Sequence, residues 1–251
     1  MTALRASILL LVLAVASLGA ASGRAAQPQL PLRVLFIGNS QTSTNDLPAF
    51  VAALAKRAKS RPIEYRMVAP SATTLEGHWT KTIAVPALTG HQWDAVVLQQ
   101  GPSVLPGSRA KLCSYTKLFA DAARARGARP YLMMVWPRGR GDFEGVADSY
   151  TAAADAADVK LLPAGSAWEA AWRRNPDLAL HPQNDDIHPS DLGTFLAALV
   201  VDAGMRGVRP ALVNSLVVDG SLFWVPRATA RVLRDAATEA LTRSFRPSAC
   251  A

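Results

Sequence analysis

With 251 residues and 50% apolar composition, the chain is large enough to bury a core, and one domain is expected. Its net charge of +8 comes from scattered Lys and Arg, as at Arg124, Arg126, Arg129, Arg138 and Arg140, with no long basic run or aromatic-interleaved stripe. That pattern excludes a nucleic-acid partner, and the four His show no metal-ligand spacing, so neither metal nor other cofactor is expected.

The first 26 residues read as a secretory signal peptide: Arg5 carries a positive charge, Ile8 to Leu18 is nearly all apolar, and small residues follow. Cleavage is expected between Ala20 and Ala26, and the apolar run is short for a bilayer span. Its removal takes away Arg5 and Arg24 and no acid, leaving a charge of +6 on residues 27–251. A secreted or periplasmic protein without stable membrane insertion is expected. There Cys113 and Cys250 could pair or stay apart, and the sequence leaves both open.

The first strongly apolar run of the domain, Val34 to Ile37, reads as a buried strand that ends in a tight polar turn, Gly38-Asn39-Ser40. A helix over about 46–59 follows, then a strand over 63–68, a polar loop at 69–74 and a helical stretch around 78–88. A third strand spans 95–99 and ends in Gln99-Gln100-Gly101. Beyond it come a helix through Leu112 to Ala123, a strand over 129–136, a helix near 144–157 and a short strand at 159–162. Helices over 167–174, from about Leu192 to Ala203 and over 227–245 complete the chain, with 175–190 as loop. Strands alternating with helices predict a parallel sheet covered on both faces, a three-layer α/β/α sandwich in one domain.

Ligands bind at the carboxyl ends of strands in such sheets, which puts the Ser40 hydroxyl where a nucleophile is useful. A hydroxyl needs an adjacent base, usually His, oriented by a carboxylate. Asp185-Asp186-Ile187-His188 supplies both, because a turn can return a carboxylate to an imidazole three residues later. His188 is therefore the candidate base and Asp185 its orienting group. The competing reading makes Ser40 and Asp185 turn residues and Ser190 a helix cap. Thr42 stands where an α/β-hydrolase elbow has its second Gly, and the turn lacks the Lys of a phosphate loop.

Phe36-Ile37-Gly38-Asn39-Ser40 resembles the first block of the SGNH (GDSL-type) hydrolases, with Asn39 where Asp is usual, and Asp185 to His188 resembles their last block. The resemblance spans roughly 32–206 and points to the branch with Gly-Asn-Ser in its first block. It implies a flavodoxin-like sheet, ester hydrolysis by the Ser and His, and an oxyanion hole. The hole would be built from the Ser40 N–H, the Ser71 N–H in place of a Gly, and Gln99, with Gln100 second, in place of an Asn. Asn39 and Trp136, the latter at a strand end, are the candidate substrate contacts.

The function this implies is a secreted or periplasmic serine esterase that removes small acyl groups, such as acetyl, from a small molecule, carbohydrate or envelope polymer. The alternatives are O-acyl transfer to a glycan, and a glycan-binding protein whose oxyanion hole has degenerated.

Overall fold

The computed structural model describes residues 30–246 and 249–250, so the expected leader and its cleavage region lie outside the described residues. The first half of the fold comprises β1 (Leu32–Ile37), α1 (Ser40–Ser43), α2 (Leu47–Arg57), β2 (Ile63–Val68), α3 (Leu75–Lys81), α4 (Ala84–Thr89), β3 (Ala95–Leu98) and α5 (Pro106–Ala125). The second half comprises β4 (Arg129–Met133), α6 (Phe143–Ala157), β5 (Lys160–Leu162), α7 (Ala164–Arg174), α8 (Asp191–Arg206), β6 (Ser215–Val218), β7 (Ser221–Trp224) and α9 (Arg227–Thr242).

Five parallel strands form one sheet in the order β2-β1-β3-β4-β5. Val34, Leu35, Phe36 and Ile37 of β1 are fully buried, as a strand covered on both faces must be. Burying each such side chain contributes about 1.5–3 kcal/mol. The chain leaves β1 toward β2 on one side and passes from β2 to β3 on the other. Right-handed crossovers therefore send α2 to one face and the helices of the later crossovers, α3 to α6, to the other. α2, α7, α8 and α9 pack among themselves, while α3, α5 and α6 form the second helical group. The three-layer α/β/α architecture expected from the sequence is the one present.

Three local features differ from the sequence reading. β4 leaves the ladder after Met133, because β5 offers three residues to pair with, although Met134 to Trp136 stay fully buried. The stretch around 78–88 divides into α3 and α4 where Thr82 turns extended and its hydroxyl accepts from the Ala84 N–H. A hairpin, β6–β7, also appears where no strands were expected. Its turn, Asp219-Gly220, has φ of 47° and 82°, the paired positive values of the tight turn that an Asp-Gly dipeptide favours between strands.

Cys113 on α5 and Cys250 form a disulfide with Cα atoms 6.1 Å apart, resolving the alternative left open above. It ties the C-terminal segment to the middle of the chain across a separation of 137 residues. Closing so long a loop constrains the unfolded chain, so a Cys250→Ser variant should lose about 2–4 kcal/mol of stability. Urea denaturation with and without reductant measures this, and identical midpoints would mean the bond contributes nothing.

Candidate active site

The sheet order places a crevice at the carboxyl ends of β1 and β3, where the strand order reverses. Ser40 follows β1 and Gln99 follows β3, so the two residues flank it. β1 continues through Gly38, whose N–H donates to the Val68 carbonyl at 3.1 Å, before the chain turns into α1. Gly38 has no room for a side chain: a Cβ there would lie 2.4 Å from Gln99 Oε1 and 2.5 Å from Thr42 Oγ1. Asn39 is extended and caps α1, its Oδ1 accepting from the Gln41 N–H at 3.0 Å. That cap sets Ser40 as the first helical residue, half-buried, with its N–H taken by no acceptor among the described residues.

Gln99, 1% exposed, holds this corner. Its Oε1 accepts from the Asn39 N–H at 2.7 Å and from Thr42 Oγ1 at 2.8 Å. Its Nε2 donates to Asn39 Oδ1 at 3.0 Å and to the Gln100 carbonyl at 2.7 Å. Both lone pairs and both protons of the amide are thus engaged. Gln100, equally buried, accepts from the Leu75 N–H at 2.8 Å and donates to Ser103 Oγ at 2.9 Å. The buried Tyr150 hydroxyl donates to the Gln100 carbonyl and anchors the same loop to α6.

Beneath the corner, fully buried His78 lies 2.6 Å through Nε2 from the Gly38 carbonyl. A carbonyl can only accept, so Nε2 carries the proton, while Nδ1 lies 3.1 Å from the Thr82 hydroxyl, which also reaches the His78 carbonyl. Burial lowers the His78 pKa, with the Gly38 carbonyl opposing.

The second half of the site is the loop before α8. His188 Nδ1 lies 2.8 Å from Asp185 Oδ2, and Asp185 Oδ1 accepts from the N–H groups of His188 and Ile187 at 2.9 and 2.8 Å. These two amides, the His188 one first, and then the imidazole hold the Asp185 carboxyl far below the usual carboxylate range. Asp186 points elsewhere, pairing with Arg138 at 2.8 Å on the exposed surface. His181 Nδ1 donates to the His188 carbonyl at 2.7 Å.

Two residues tie the halves together. The Trp136 carbonyl accepts from Gln41 Nε2 at 3.3 Å, next to Ser40, and its indole N–H donates to the Ile187 carbonyl at 2.9 Å, next to His188. Asn45, just past α1, donates to the Pro189 carbonyl at 2.9 Å and to Thr194 Oγ1 at 3.1 Å. Ser40 Oγ and His188 Nε2 do not bond to each other here, and neither has another partner among the described residues. Such contacts often tighten only when substrate binds.

Several expectations change. Gln99 is not a free oxyanion donor, because its amide protons hold Asn39 and the Gln100 carbonyl, and Gln100 is buried under Leu75 and Ser103. Trp136 does not line a cleft: it is fully buried and stacked on Trp168 with centroids 3.8 Å apart. Asn39 is 8% exposed, and its Nδ2 reaches the Thr73 carbonyl at 3.3 Å, so its side chain shapes the corner instead of reaching outward. Ser71 is exposed in the turn after β2, and the positive φ of that turn, 55°, falls on Ala72. His78, His181 and Tyr150 were missed as supports, and no local pattern in the sequence marks them. Among the described residues no three His, Cys, Asp or Glu side chains cluster to hold a metal ion.

If Gln99 holds the corner, Gln99→Ala should lower stability as well as turnover. It strands the buried Asn39 N–H and Thr42 hydroxyl, at about 1–3 kcal/mol for each buried group left unpaired, whereas the Gln100 carbonyl keeps the Tyr150 hydroxyl. A pure oxyanion donor would lower turnover alone, so an unchanged urea midpoint would remove this role.

No protein-family model matches the chain, and no curated protein matches it in sequence. Solved structures do. A protein from Slackia heliotrinireducens assigned to the SGNH hydrolases is 28% identical, with a TM-score of 0.57 over 70% of this chain and 99% of its own. A lipase/acylhydrolase from Enterococcus faecalis is 13% identical, with a TM-score of 0.52 over 72% of this chain and 100% of its own. A catalytic mutant of Axe2, an acetylxylan esterase from Geobacillus stearothermophilus, is 15% identical, with a TM-score of 0.51 over 70% and 93%. The last two share the fold alone, whereas the first adds sequence likeness along its whole length, so the chain has the fold of the SGNH hydrolases and resembles one of them in sequence.

Proposed function

We propose that the protein is a secreted or periplasmic serine esterase that releases small acyl groups, such as acetyl, from a carbohydrate or other small ester. The observation that carries this is the Asp185–His188 contact of 2.8 Å, with His188 Nε2 left free on a loop tied through Trp136 and Asn45 to the segment that follows Ser40. His188 takes the Ser40 proton as Oγ attacks the ester carbonyl, and Asp185 holds the imidazole in the tautomer with Nδ1 protonated. His188 then returns the proton to the leaving alcohol, and water, activated the same way, releases the acid. The Ser40 and Ser71 N–H groups are the oxyanion donors in this reading, since Gln99 is occupied.

The disulfide supports an oxidising compartment, and with it the leader read from the sequence. Small acyl groups are favoured because the stretches beside the site, 102–108 and 137–143, are mostly Gly, Pro, Ser, Arg and Asp, with Val104, Leu105 and Phe143 as the apolar exceptions, in place of a contiguous apolar lining. Acyl esterase names among the structures of the same fold agree with the chemistry.

Ser40→Ala should fold normally and lose about a thousandfold or more in kcat on aryl acetates. An organophosphonate should label Ser40 in the parent protein. Absence of labelling would favour the glycan-binding alternative.

Asp185 has a depressed pKa in the folded protein, so its stabilising contacts are present at every pH above its unfolded value, about 3.9, and are lost only in stronger acid. An acid limb of kcat/KM above that value therefore does not come from Asp185. Asp185→Asn should cost about 10³–10⁴ in kcat. Asp186→Asn should change it little, since an exposed ion pair contributes only about 0–1 kcal/mol. The reverse ranking would reassign the orienting group.

A further inference from the structure

A two-stranded ribbon packed on a domain normally turns apolar side chains inward and polar ones outward. The β6–β7 hairpin obeys the first half of that rule. Leu216 is 3% exposed, and Phe223 opposite it packs edge-on against Phe50 with centroids 5.2 Å apart. The outward register breaks the second half. Val217 and its cross-strand partner Leu222 are 62% and 72% exposed, and Trp224, two residues along the same face, is 60% exposed. Beside this face runs a groove of about 480 Å³, lined by Val217, Leu222 and the basic end of α2, namely Lys56, Arg57 and Lys59. All three cations are exposed, and none forms an ion pair among the described residues. The acid on this rim is Asp219 at the hairpin turn.

From this juxtaposition of an apolar ridge and an unpaired basic rim we propose that the hairpin face is a docking surface for an anionic lipid bilayer. The chemistry matches an interface on both counts. Trp224, Leu222 and Val217 enter the headgroup–acyl boundary, where an indole is favoured, while Lys56, Arg57 and Lys59 meet lipid phosphates. A second copy of this chain fits less well, because a two-fold contact through this face would bring the two basic rims together. A soluble polyanion would use the cations and leave the apolar ridge in water. The association is peripheral, and no helix of the described residues is long and apolar enough to cross a membrane. The proposal is independent of the catalytic reading.

The test is sedimentation of residues 27–251, which include every described element, with vesicles of phosphatidylglycerol and phosphatidylcholine or of phosphatidylcholine alone. Binding should require the anionic lipid, weaken with salt and shift tryptophan emission to the blue. The pair Leu222→Ser with Trp224→Ser, and separately Lys56→Glu with Lys59→Glu, should each weaken binding by about tenfold or more. Hydrolysis of a soluble aryl ester, or circular dichroism if none is hydrolysed, shows that the variants are folded. Equal binding to neutral vesicles, or unaltered binding by either variant pair, would overturn the proposal. So would a dimer in sedimentation equilibrium that the apolar pair abolishes, or an equal affinity for a soluble polyanion that the apolar pair leaves unchanged.

Discussion

The candidate site depends on one buried carboxamide. Where β1 and β3 part, the chain must leave the ladder and expose a hydroxyl, and backbone groups at that corner would otherwise lose their partners. Gln99 replaces the missing ladder: it accepts from the Asn39 N–H, as a strand carbonyl would, and returns a proton to the cap oxygen that shapes α1. Asn at 99 would be a methylene too short for this reach. A carboxylate at 99 would have no proton for Asn39 Oδ1 or the Gln100 carbonyl. Gly38 follows from the same packing, since a Cβ would occupy the space of the amide oxygen. A fully bonded network of this kind fixes one arrangement, and partial bonding would be costly in so dry a place.

The base is held by different means. Asp185 and His188 have side chains about a third exposed, so burial cannot fix their geometry. The backbone does it instead: two successive amides grip one carboxylate oxygen and aim the other at Nδ1. Trp136 then joins this loop to the serine corner through one carbonyl and one indole N–H, and its stacking on Trp168 keeps both from moving. A residue that looked like a substrate contact at a strand end is a brace within the core.

The parallel sheet, its covering helices and the Asp-x-x-His pairing were legible because each rests on local pattern: apolar runs, helical spacing and a three-residue return. The roles of Gln99, Asn39 and Trp136 were not legible, because sequence position says which strand end carries a polar group but not which way it faces. Gln99 turned inward because Asn39 in the facing turn offered an N–H and an oxygen at the right reach. The hairpin was legible and was passed over. Val-Val-Asp-Gly-Ser-Leu is a strand–turn–strand signal, but its outward apolar residues blur the alternation that marks a ribbon.

The two faces of the molecule constrain each other. α2 begins beside the serine corner and ends at Lys56 and Arg57, and its 11 residues rise about 16 Å. The hairpin reaches the other half of the site as well, because Leu222 and Trp224 line one groove with Ser190 and Asp191, the residues that follow His188 and Pro189. A bilayer that takes the apolar ridge would therefore lie beside the loop that carries the base, and its distance from the serine is set by the tilt of the hairpin and not by the length of α2.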